Sequence, residues 1–104
     1  MAFQRVATLD ELWEGEMIAL ELEGHAVLLV NVRGNIRAYA DFCPHLRTRL
    51  SQGCLQRNVL TCSTHGWAFG MNTGRGINPQ TVCLEAFAVK VEDGDILIDP
   101  DSGG

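Results

Sequence analysis

The stretch Cys43-Pro44-His45, followed after 16 residues by Cys62-Ser63-Thr64-His65-Gly66-Trp67, places two cysteines and two histidines in two short mixed pairs. Two thiols and two imidazoles delivered this way suit a metal centre. It is either a zinc ion or a [2Fe-2S] cluster in which one iron takes sulfur ligands and the other nitrogen. Structural zinc sites usually group like with like, cysteines first and histidines after. Here each pair runs Cys then His. That order is needed when each loop gives one thiolate to one iron and one imidazole to the other. The cluster is therefore the preferred reading and zinc the alternative. Coincidence ranks last, because four ligand-type side chains would have to meet in two tight loops without cause.

Working outward from the loops, Val59-Leu60-Thr61 runs straight into Cys62, so the second loop springs from a strand end, and Trp67 to Met71 alternates as a further strand. Upstream, the patterns predict strands over 3–7, 17–22, 26–32 and 36–40. Turns are expected at Glu23-Gly24-His25 and Arg33-Gly34-Asn35, and a short capped turn from Thr8 or Asp10 through Trp13. Downstream of the first loop, Ser51-Gln52-Gly53 and Thr73-Gly74-Arg75-Gly76 read as turns, and Asn78-Pro79 as the start of a rigid loop. Phe87 to Val91 and Ile96 to Ile98 read as a hairpin across Asp93-Gly94, with a loosely ordered polar tail from Asp99. Short strands with regular turn signals give an all-β sandwich or barrel. A chain of 104 residues is one domain, long enough to bury a core without disulfides.

The motif C-P-H…C-x-x-H-G-W resembles the Rieske family signature, and the resemblance extends over nearly the whole chain. More narrowly, Cys43-Pro44-His45, Leu50-Ser51-Gln52-Gly53 and Thr73-Gly74-Arg75-Gly76-Ile77-Asn78-Pro79 resemble the small Rieske ferredoxins of bacterial toluene and alkene monooxygenases. Ferredoxins of aromatic-ring dioxygenases are the next nearest. The resemblance implies an antiparallel β-sandwich base with a smaller cluster-binding subdomain at about 42–68, and one Rieske [2Fe-2S] cluster held by Cys43, His45, Cys62 and His65. It also implies a loop at Pro79 that covers the cluster. Gly66, lacking Cβ, lets backbone approach the cluster, and Trp67 is expected as an apolar wall beside it.

High-potential members of the family carry an extra cysteine in each ligand loop, and these form a disulfide; here the matching positions are Thr48 and Thr64. Those members also place a serine, which donates to a cluster sulfur, where this chain has Trp67. Fewer donors to the sulfurs imply a potential near the low end of the Rieske range, on the order of −150 mV.

The remaining polar and reactive residues read more plainly. Cys54 and Cys83 sit among apolar neighbours and are expected to be buried free thiols, Trp13 is expected in the core, and His25 at the surface. The net charge of −5 is uneven: residues 42–84 hold four arginines (Arg47, Arg49, Arg57 and Arg75) and no Asp or Glu, so that span carries +4 and the rest −9. Arg47 and Arg49 follow His45 and are expected to steer the cluster end toward an acidic partner surface.

No nucleophile–base pair stands out, and four protein ligands leave no open position on the irons. The reading is therefore a one-electron carrier and not an enzyme on its own. The resemblance supplies an NADH-dependent flavin/iron–sulfur reductase upstream and a di-iron hydroxylase of a toluene/alkene-type monooxygenase downstream. A Rieske dioxygenase terminal component is the alternative acceptor. A zinc-dependent interaction module and a small reductase subunit are the more distant rivals. The N-terminus has no apolar signal region and no apolar run reaches membrane-span length, so a cytoplasmic monomer with no nucleic-acid or membrane partner is expected.

Overall fold

A computed structural model describes residues 3–42, 49–63, 66–71, 73–78 and 83–100, the side chain of Asn78 excepted. Among these residues, ten strands form two antiparallel sheets, as the all-β reading expects. The strands are β1 Gln4–Thr8, β2 Met17–Leu22, β3 His25–Val32, β4 Asn35–Ala40, β5 Cys54–Gln56, β6 Val59–Thr61, β7 Ala68–Gly70, β8 Gly76–Asn78, β9 Ala86–Glu92 and β10 Asp95–Asp99. The base is a six-stranded sheet in the order β1-β10-β9-β4-β3-β2; the second sheet is the meander β5-β6-β7-β8.

Three hairpins of the base use the same turn chemistry. Glu23-Gly24, Arg33-Gly34 and Asp93-Gly94 all have positive φ at both residues, the conformation that matches the twist of flanking strands. Before β2, the 3-10 turn Leu9–Glu11 is closed by a capping box between Thr8 and Glu11. β3 is buried on both faces. Leu28, Val30 and Val32 join Leu60, Phe69 and Met71 in a core between the two sheets. Val27 and Leu29 join Phe87, Ile96 and Ile98 in a second core inside the base. This double burial explains why β3 shows no polar alternation.

The second sheet is an excursion between β4 and β9. Those two strands pair with each other through Ala38–Phe87 and Tyr39–Ala86, and the Ala40 N–H donates to the Glu85 carbonyl at 2.8 Å. The excursion is fastened back on the base by Tyr39, whose hydroxyl donates to the Met71 carbonyl at 2.7 Å. Gly74, at φ +76°, lies under the Tyr39 ring; a Cβ there would stand 2.7 Å from a ring carbon.

Several expectations are corrected. Trp13 is 69% exposed while Leu12 is buried. Leu12 is extended, so adjacent side chains point opposite ways. The indole N–H of Trp13 is occupied by the Asp10 carbonyl at 3.0 Å. Cys54 and Cys83 are exposed free thiols, not buried ones. Each neighbours an inward-facing leucine, Leu55 packing against the inter-sheet core and Leu84 within it. Strand alternation in β5 turns Cys54 outward, and Cys83, on an isolated bridge to Arg75, is exposed beside the buried Leu84. Asp99 belongs to β10 and is buried, so the polar tail begins later than expected. Strand β5 lies where the sequence reading assigned no element, and β8 runs from the end of the expected turn at Gly76 to the start of the expected loop at Asn78.

Burial of Tyr39 raises its pKa above the usual value of 10, the nearby Arg37 partly offsetting this. The stability drawn from the neutral hydroxyl is therefore complete below that ordinary value and is lost as pH climbs through the higher folded-state value. Tyr39→Phe is expected to cost about 1 kcal/mol near neutrality. Denaturant titrations of both proteins across alkaline pH should show a steeper loss for the wild type than for the variant.

Candidate metal centre

Of the four ligands read from sequence, Cys62 lies within the described residues; Cys43, His45 and His65 lie outside them, as do Pro79, Arg47, Thr48 and Thr64. Cys62 follows directly on β6 and is buried, a member of the core between the sheets. Its N–H donates to the Trp67 carbonyl at 2.6 Å, which closes the chain from 62 to 67 into a tight loop between β6 and β7. Gly66 makes the return at φ +67°, a conformation open to glycine at little cost. Trp67 is half-buried and packs against the same core that holds Cys62. The loop thus stands on a rigid hairpin, with an apolar wall behind it.

The approach to β6 is equally constrained. Gly53 has no Cβ because the Thr61 carbonyl, one residue before Cys62, occupies its place. A larger residue at 53 would push the strand end that carries Cys62.

The first ligand segment is anchored at both described ends by a residue that the sequence reading missed. Asp41 is fully buried. One carboxylate oxygen accepts the Ser51 N–H at 2.8 Å and the other accepts the Ser51 hydroxyl at 2.7 Å. Its own N–H donates to the Ala26 carbonyl of β3 at 3.0 Å. Arg49 completes the group, with Nη1 3.6 Å from Asp41 Oδ2 and its guanidinium 5.1 Å from the centre of the Phe42 ring. Asp41 therefore caps the 3-10 turn Leu50–Gln52 from ten residues upstream. The available signal was an aspartate just before the C-P-H motif and a serine opening the turn beyond it. Arg49, read as a docking residue, is committed to this group, with 41% of its side chain exposed. His25 is at the surface as expected, edge-on to Phe87 and outside the loops.

Residues 2–88 match the Rieske [2Fe-2S] domain. The chain is 45% identical over 94 residues to the ferredoxin component of the alkene monooxygenase system of Xanthobacter autotrophicus, covering 89% of this chain and 77% of the relative. It is 35% identical over 104 residues to the ferredoxin component of biphenyl 2,3-dioxygenase of Rhodococcus jostii, covering 99% and 97%. In a solved complex of reduced oxygenase and oxidised ferredoxin in carbazole 1,9a-dioxygenase, one chain superposes with a TM-score of 0.84 at 28% identity, over 92% of this chain and 91% of that one. The match to this domain together with the mixed Cys/His pairs makes the chain a small iron–sulfur protein. The chain belongs to the Rieske [2Fe-2S] family.

The family implies one Rieske-type [2Fe-2S] cluster, and the donor set fits it: two cysteines and two histidines in mixed pairs, with the described cysteine buried at a closed loop. Cys54 and Cys83 stand outside these pairs. Cys54→Ser and Cys83→Ser are expected to keep full iron content and an unchanged visible spectrum, and Cys43→Ser or Cys62→Ser to lose both. Iron analysis and absorbance of the purified variants check this; loss of iron from the Cys54 variant would overturn the ligand assignment.

Proposed function

We propose that this Rieske ferredoxin is a one-electron carrier between an NADH-dependent flavin/iron–sulfur reductase and the di-iron hydroxylase of a toluene/alkene-type monooxygenase. The observation that carries the reading is the identity of 45% to the ferredoxin component of an alkene monooxygenase system over most of both chains. The protein is an electron-transfer component and has no turnover of its own. When bound, the cluster supplies reversible one-electron chemistry. The chain's part is to hold Cys43, His45, Cys62 and His65 in two loops, with Gly66 and Trp67 shaping the second and Pro79 stiffening a third.

We place the whole of 1–104 in a single domain. Its cluster lobe, about 42–68, is continued by β7 and β8 as far as Asn78. A monomer in the cytoplasm is proposed; among the described residues no helix is long and apolar enough to cross a membrane. The second reading, a dioxygenase ferredoxin, is favoured by the identity of 35% over the whole chain to the biphenyl dioxygenase component. The solved carbazole dioxygenase complex of oxygenase and ferredoxin supports an oxygenase component as electron acceptor in either case. Single-turnover mixing of the reduced protein with a purified di-iron hydroxylase, and separately with a Rieske dioxygenase terminal component, separates the two. The proposal expects the faster oxidation with the hydroxylase.

Docking is proposed to use the positive end, through Arg47 next to the motif and the exposed part of Arg49. The second-order rate of hydroxylase reduction is expected to fall as ionic strength rises. Arg47→Glu should lower it by about threefold to tenfold at low salt. Stopped-flow kinetics on cluster-replete protein reads both effects, and a rate indifferent to both would assign docking to apolar contact.

A further inference from the structure

We propose that Asp41 and Arg49 form a positioning pair for the cluster: the buried Asp41 carboxylate clasps the two described ends of the first ligand segment, and the opposite charges of the pair tune the reduction potential in opposite directions. The inference rests on the reading that Cys43 and His45 are ligands. The chain enters the segment at Phe42 and leaves it at Arg49. Asp41 joins these ends through three donors: the Ser51 N–H, the Ser51 hydroxyl and the Arg49 guanidinium. The carboxylate is also fixed from behind, since the Asp41 N–H is held by the Ala26 carbonyl in the base sheet. The Phe42 ring lies under the Arg49 guanidinium and adds a second contact between the two ends. The described ends of the first ligand segment are therefore joined to each other and to β3 of the base through Asp41.

A buried charge has consequences that a neutral hydrogen bond would lack. Asp41 is fully shielded from water and two residues from Cys43, so its field is little screened. A fixed negative charge disfavours the extra electron and lowers the potential; the Arg49 guanidinium opposes it. Residues 42–84 contain no other carboxylate against which to balance. A clasp that merely supported the loop would weaken cluster retention in every variant, but would not move the potential in opposite directions for its two members.

The test compares Asp41→Asn, Arg49→Gln, the double variant and Ser51→Ala in the cluster-replete protein, by protein-film voltammetry at mildly alkaline pH and by the rate of iron release to a chelator. Asparagine keeps the shape of aspartate and can still accept from Ser51. The expected result is a higher potential for Asp41→Asn, a lower one for Arg49→Gln, and a value near wild type for the double variant. Ser51→Ala keeps both charges; it should leave the potential in place and release iron on the order of tenfold faster. If Asp41→Asn does not retain a cluster, Arg49→Gln still decides, because that side chain is partly exposed and its loss leaves the Ser51 contacts intact. Potentials that stay put, or that shift the same way in both single variants, overturn the proposal while the spectrum stays Rieske-like. A wild-type protein without a Rieske spectrum would instead overturn the ligand reading, and this proposal with it.

Discussion

The pairing of β4 with β9, closed by the Ala40–Glu85 hydrogen bond, is the constraint on which the rest depends. It brings together two points more than forty residues apart in sequence, so everything between them leaves and re-enters the base at one place. Both ligand loops are in that excursion. Closing so long a loop has a substantial entropy cost, but the cost grows only slowly with length. It is offset by the core that β5 to β7, with Leu50, Met71 and Leu84 beside them, share with β3 and β4. Leu60 and Phe69 alone bury side chains worth about 1.5–3 kcal/mol each.

The same boundary divides the charge. The excursion carries four arginines without a carboxylate, while the acidic residues lie on the base. Asp41 stands at the seam and faces inward. By pairing with Arg49 it removes one arginine from the free positive charge of the cluster end. Part of the positive charge read from the sequence is thus spent on structure.

The sequence revealed what periodicity and ligand chemistry can encode. β3, apolar on both faces, and the Gly-bearing hairpin turns were legible because each is a local requirement. The mixed Cys/His pairs were legible because few other needs would produce them. What escaped depends on partners distant in the chain. β5 and β8 are three residues each and are defined by pairing with β6 and β7, not by their own composition. Cys54, Cys83 and Trp13 were misjudged because apolar neighbours say nothing about which way one side chain faces; the adjacent leucines took the inward positions. Asp41 was not singled out, since its donors on Ser51 lie ten residues away.

The first and last strands of the base lie side by side, Gln4 opposite Ile98 and Arg5 opposite Leu97. During synthesis β1 must therefore wait for almost the entire chain before its partner exists. The meanders β2 to β4 and β5 to β8 need only nearby residues and can form before β1 and β10 have paired. Both ligand pairs are complete well before β10 emerges. The fold thus allows an interval in which the loops are made but the base is still open, and iron and sulfide can arrive before the final strand locks the sheet.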